Sequence, residues 1–111
     1  MIKVTIKRSV DRSIIGFTLS GHAEYDEPGK DIVCAGVTAV AFGTVNSIEA
    51  LLKLELNPKT PQRGHLEVEI PDTPDAKSNE HMQLLLESMV VMLKGIASSY
   101  GKYVKLKEIH T

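Results

Sequence analysis

The chain has one cysteine, Cys34, in 111 residues. No internal disulfide is therefore available, and a free thiol suits a reducing cytoplasm. Charge of neither sign is in excess. Thirteen Lys and Arg stand against 14 Asp and Glu, for a net charge of −1. Domains that bind nucleic acid are usually strongly basic, so no direct nucleic-acid partner is expected. No apolar run approaches the roughly 18 residues of a membrane span, so no membrane association is expected. The opening MIKVTIKRSV alternates apolar and polar residues and lacks the continuous apolar core of a signal peptide. Internal repeats and low-complexity tracts are missing as well. What remains is ordinary for a soluble globular protein, with 42% hydrophobic and 24% charged residues. The length suits one domain, 1–111, with one modest core.

Periodicity supplies the architecture. Ile2, Val4 and Ile6 alternate with Lys3, Thr5 and Lys7, which predicts a strand over 2–8 with one apolar face. Asp11-Arg12-Ser13 reads as a turn into a second strand, 14–20, with Ile15, Phe17 and Leu19 on one side. From Val33 the spacing changes to threes and fours through Val37, Val40, Ala41, Thr44, Ile48 and Leu51, a helix with Asp31 at its N-cap. Alternation returns in KLELN, through Leu52, Leu54 and Leu56, and again in HLEVEI, through Leu66, Val68 and Ile70, which predicts two further strands. Two proline-containing connections, 57–64 and 71–78, lie on either side of the second of them. A second helix runs from about Ser78, its candidate cap, to Tyr100, with a stripe from Met82 through Leu86, Met89 and Leu93 to Ala97. Gly101 ends it, and a last strand follows over 102–109. The expected fold is an α/β single-domain sandwich in the order β-β-α-β-β-α-β, two helices packed on a mixed or antiparallel sheet.

Leu84, Val91 and Met92 lie off the main stripe of the second helix, beside Ser88 and Gly95. Either that helix is buried on more than one side, or the second stripe is a symmetric dimer contact with small residues permitting close approach.

The chemistry concentrates in SGHAEYDEPGKDIVCAG, residues 20–36. With Asp31 as the cap, Cys34 falls in the first helical turn, where unpaired amides and the helix dipole favour a thiolate. His22 stands twelve positions earlier. Gly21 permits a sharp change of direction before it, and Pro28-Gly29 marks a turn through which the loop can fold back. An imidazole near a thiol can take its proton and later return it to a leaving amine. Amides at the same helix end could bind an oxyanion. These parts suit acyl transfer by a cysteine nucleophile. On spacing alone, a small core cysteine and a solvated histidine explain the same residues. A metal site built from His22, Glu24, Asp26, Glu27, Asp31 and Cys34 is a weaker alternative. HAE matches half of the zinc deaminase pattern, but the P-C-x-x-C half is missing, so neither a metal nor any other cofactor is expected.

SGHA, followed after a polar loop by DIVCAGVTAV, resembles the ribosomal-processing cysteine proteases, the Prp family. The likeness extends over nearly the whole chain, through the opening hairpin, the G-H-A turn, the D-I-V-C helix start and the long second helix. It implies an α/β sandwich, usually homodimeric, in the bacterial cytoplasm. It implies a peptidase that removes a short N-terminal extension from a large-subunit ribosomal protein precursor. The matching positions make Cys34 the nucleophile and His22 the general base. They place Gly21, Asp31 and Thr38 with the substrate, and make residues 23–30 a flexible loop over its groove. For Asp31, capping the helix competes with orienting a catalytic or substrate group, and capping alone accounts for it. Family members often read D-I-V-C-A-A-V-S here; this chain has Gly36 and Thr38 instead, which bears on fine specificity. The rival reading is a ribosome-assembly or adaptor module with an incidental cysteine.

Overall fold

The computed structural model describes the whole chain except Glu24 and residues 28–30. The turn expected at Pro28-Gly29 therefore lies outside the described residues. Among those residues the chain forms β1 (Ile2–Arg8), β2 (Ile14–Ser20), α1 (Ile32–Leu52), β3 (His65–Glu69), α2 (Ala76–Ser99) and β4 (Val104–His110). The strands make one sheet in the order β3-β2-β1-β4. β2 is antiparallel to both β1 and β3, and β4 lies parallel to β1, so the sheet is mixed. The parallel pair follows from the crossover through α2.

The period-two pattern of β1 explains the layering. Ile2, Val4 and Ile6 are buried while Lys3 and Lys7 face solvent. β3 buries Leu66 and Val68 on the same side. One face of the sheet is thus open, and α1 and α2 cover the other. Their stripes, Val33, Val37, Ala41, Val45 and Ile48 on α1 and Met82, Leu86, Met89, Val90 and Leu93 on α2, close over Phe17, Ile6 and Ile14 in one core. Both helices are long and apolar enough on average to cross a membrane, although no uninterrupted apolar run was evident in the sequence. In this fold their stripes pack in the core.

Four expectations need correction. Ile15, placed on one side with Phe17 and Leu19, is 39% exposed and Ile14 is buried instead, where the β1–β2 register shifts between Lys7 and Arg8. KLELN is not a strand. α1 runs through Leu52, and Lys53 closes it in the left-handed region at φ 54°, with Asn57 at φ 48°. The alternation is satisfied without a ladder: Leu56 is buried, and its amide donates to the Glu49 carboxylate at 3.0 Å. A single bridge, Lys59 with Glu67, joins the following segment to β3. The element order is therefore β-β-α-β-α-β. Leu51, placed on the buried stripe, is 70% exposed. Finally, α2 starts two residues before Ser78, because the Asp75 carboxylate accepts the Ser78 amide at 2.7 Å and is the true N-cap.

At the end of the sheet away from His22, Arg8 clamps the two layers together. Its guanidinium grips Glu87 of α2 at 2.7 and 2.8 Å and Glu108 of β4 at 2.8 Å, and donates to the Arg12 carbonyl. The hydrogen bonds from Arg8 outweigh the cost of burial and hold both carboxyls below their ordinary range. The second stripe of α2 is open in the single chain: Leu84 and Val91 are 69% and 71% exposed. Burial of α2 on several sides is thereby excluded within one copy.

Candidate active site

His22 is placed by the end of the β2–β3 ladder. The last paired residues are Ser20 and His65. One rung further, the Gly21 amide donates to the Gly64 carbonyl at 2.9 Å. Both glycines have positive φ, +90° at Gly21 and +80° at Gly64. A side chain at Gly21 would run into the Met1 carbonyl. The strand can therefore leave the sheet here only because position 21 has no Cβ. That turn delivers His22 to the sheet's end as an exposed side chain.

Cys34 is placed by α1. Asp31, in extended backbone at φ −77° and ψ 99°, caps the helix by accepting the Cys34 amide on Oδ1 at 2.9 Å. Its other oxygen, Oδ2, accepts the Tyr25 amide at 3.1 Å. One carboxylate thus ties the loop after His22 to the first turn that carries the thiol. Burial opposes its ionisation, but the amides of Cys34 and Tyr25 prevail and lower its pKa. The first-turn amides are less available than the sequence suggested. The Cys34 amide is taken by the Asp31 side chain and the Ala35 amide by the Asp31 carbonyl at 3.0 Å. An oxyanion seeking the Cys34 amide must compete with Asp31.

Cys34 is half-buried at the edge of the core, and Thr38 is exposed one turn later on the same face. Gly36 leaves ordinary contact room, since a Cβ there would stand 3.9 Å from Ile96 Cδ1. An alanine would fit this position. Among the described residues no hydrogen bond joins the His22 ring to the thiol, and no group of three His, Cys, Asp or Glu side chains gathers as a metal site. Glu24 of the metal alternative lies outside the described residues.

Sequence reasoning missed two contributors. Tyr25 packs edge-on against Tyr100 and Tyr103, with ring centroids 5.9 and 5.1 Å apart and planes at 88° and 81°. The loop is thus held to the α2–β4 connection as well as to Asp31. Tyr100 was legible only as the end of a stripe, because a loop aromatic and a helix-end aromatic 75 positions apart share no periodicity. Gly64 was legible only as the end of a proline loop.

Removing the Asp31 carboxylate tests this double anchor. Asp31→Ala is expected to cost about 1 kcal/mol of stability, the usual value of an N-cap, or roughly 4–8 °C in Tm at pH 7. Its folded-state pKa is lowered, so this stabilisation is present above about pH 4 and fades as pH falls through the folded-state value. Thermal unfolding at pH 7 and pH 3 should show the gap to wild type narrowing in acid. Equal Tm values at pH 7 would contradict the anchor.

The sequence profile described as cysteine protease Prp matches residues 1–105. The chain belongs to the cysteine protease Prp family. Among its family relatives, the ribosomal processing cysteine protease Prp of Bacillus subtilis is 43% identical over 101 residues, 90% of each chain. That of Staphylococcus aureus is 35% identical over 108 residues, 96% of this chain and 97% of its own. The fold agrees with crystal structures of the essential ribosomal processing protease Prp from S. aureus. The complex with a substrate peptide gives a TM-score of 0.83 at 32% identity. The complex with a covalently linked product peptide gives 0.80 at 33% identity. Each comparison covers 98% of this chain and 100% of the other.

Proposed function

We propose that this chain is a cysteine endopeptidase that removes the short N-terminal extension of a large-subunit ribosomal protein during bacterial ribosome assembly. The observation that carries this reading is the placement of Cys34 in the capped first turn of α1, tied through Asp31 to the loop that begins at His22. The family's ribosomal-processing relatives, and the peptide bound by the S. aureus enzyme, favour a peptide substrate over any other acyl donor.

In the mechanism, His22 takes the Cys34 proton and the sulfur attacks the scissile carbonyl carbon. The C–N bond breaks, the amine leaves with the proton from His22, and an acyl thioester remains on Cys34. Water, deprotonated by His22, then attacks the thioester, releasing the carboxylate and regenerating the thiol. Gly21, Asp31 and Thr38 border the bound peptide in this reading, with Gly21 and Asp31 also serving the backbone as described. Closure of the loop over the peptide excludes water and aligns the scissile carbonyl with the sulfur.

The decisive assay incubates the purified chain with the extended ribosomal protein and weighs the products. Two fragments separated at one bond support the reading; an intact precursor after many equivalents of time supports the adaptor alternative.

The free thiol is suited to the cytoplasm, which is where we place the protein. We also assign the open stripe of α2, Leu84, Val91 and Met92 beside Ser88 and Gly95, to a homodimer contact. Sedimentation at micromolar concentration should then give a dimer, and Val91→Lys a monomer. A monomeric wild type would remove this assignment.

A further inference from the structure

We propose that Gly64 is a positioning residue for His22: its missing side chain is the seat in which the imidazole rests. The inference builds on the reading of His22 as the general base.

Three observations converge on it. A Cβ placed on Gly64 would lie 2.6 Å from His22 Nε2 and 2.7 Å from Cε1, inside any permissible contact, and 3.2 Å from the Gly21 carbonyl oxygen. The ring edge therefore occupies the volume that every residue other than glycine would fill. The Gly64 carbonyl also holds the Gly21 amide at 2.9 Å, so the strand that forms the seat aims the residue that sits in it. And Gly64, like Gly21, has a φ that residues with a side chain rarely adopt. Two glycines facing each other across one rung thus serve different ends. Gly21 turns the chain out of β2, and Gly64 receives the ring.

The seat matters because His22 is exposed and, among the described residues, no hydrogen bond orients its ring. A seat of backbone limits the rotamers of an otherwise free side chain, and catalytic alignment is lost for displacements of about 1 Å. A Cβ at position 64 pushes against the far end of the imidazole, which turns away readily. The expected consequence is a displaced base more than an unfolded protein.

The test compares wild type, Gly64→Ala, His22→Ala and the double variant, using cleavage of the extended precursor and the NMR signals of the His22 ring. Gly64→Ala is expected to lower kcat about 10- to 100-fold with KM within about threefold, and to move the His22 ring resonances. In the His22→Ala background the same substitution should lower kcat less than twofold, because no ring remains to be displaced. Equal losses in the two backgrounds, or unshifted ring resonances, would overturn the proposal. If strain at positive φ prevents Gly64→Ala from folding, Gly64→Asn replaces it, since asparagine tolerates that region and still adds a Cβ. Should His22→Ala itself cleave at the wild-type rate, the base assignment fails, while the ring resonances still report on the seat.

Discussion

Cys34→Ala is expected to reduce cleavage of the extended ribosomal protein to background, a loss of at least about 10⁴-fold. Removing the nucleophile of a covalent mechanism leaves only binding and whatever polar stabilisation the site retains. The fold should survive. Cys34 is half-buried at the margin of the core, and the substitution removes one sulfur. The cap is unaffected, since Asp31 accepts the backbone amide of residue 34. A fall in Tm of no more than about 5 °C is expected. Mass analysis should find a covalent peptide adduct on the wild-type chain during turnover and none on the variant. If Cys34→Ala processed the precursor at the wild-type rate, the thiol would be incidental and the adaptor reading would take its place.

His22→Ala is expected to lower kcat about 10²- to 10⁴-fold, the usual contribution of a positioned base, with KM little changed. Stability should change by less than about 1 kcal/mol, because the ring is exposed and fills no part of the core. The same variant carries a second readout. Alkylation of Cys34 by iodoacetamide at neutral pH should slow. Cleavage lost with an unchanged alkylation rate would mean that His22 acts on the leaving amine and not on the thiol. Neither quantity changing would sink its catalytic role.

Much of this molecule was legible along the chain. β1, β2, α1 and α2 each announced themselves through a period long enough to be unmistakable. Asp31 was recognisable as a cap because a short carboxylate three residues before an amide it can accept is a local arrangement. The failures have local causes too. KLELN carries a strand's alternation, but Lys53 turns left-handed and Glu49 takes the Leu56 amide, so hydrogen bonds that a ladder would supply come from elsewhere. Ser78 yielded its capping role to Asp75, and the bonding of one carboxylate settled that.

By itself the sequence determined what is periodic or adjacent: the layered α/β arrangement, most of the buried stripe of each helix, and the thiol in a capped first turn. Only the tertiary structure decided which distant residues meet. Strand register set Gly64 opposite Gly21 and so beneath the imidazole, and the α2–β4 connection set Tyr100 and Tyr103 under Tyr25. The reason is physical. Propensity and hydrophobic pattern act over a few residues, whereas the seat of a side chain depends on volumes left empty by backbone far away in the chain.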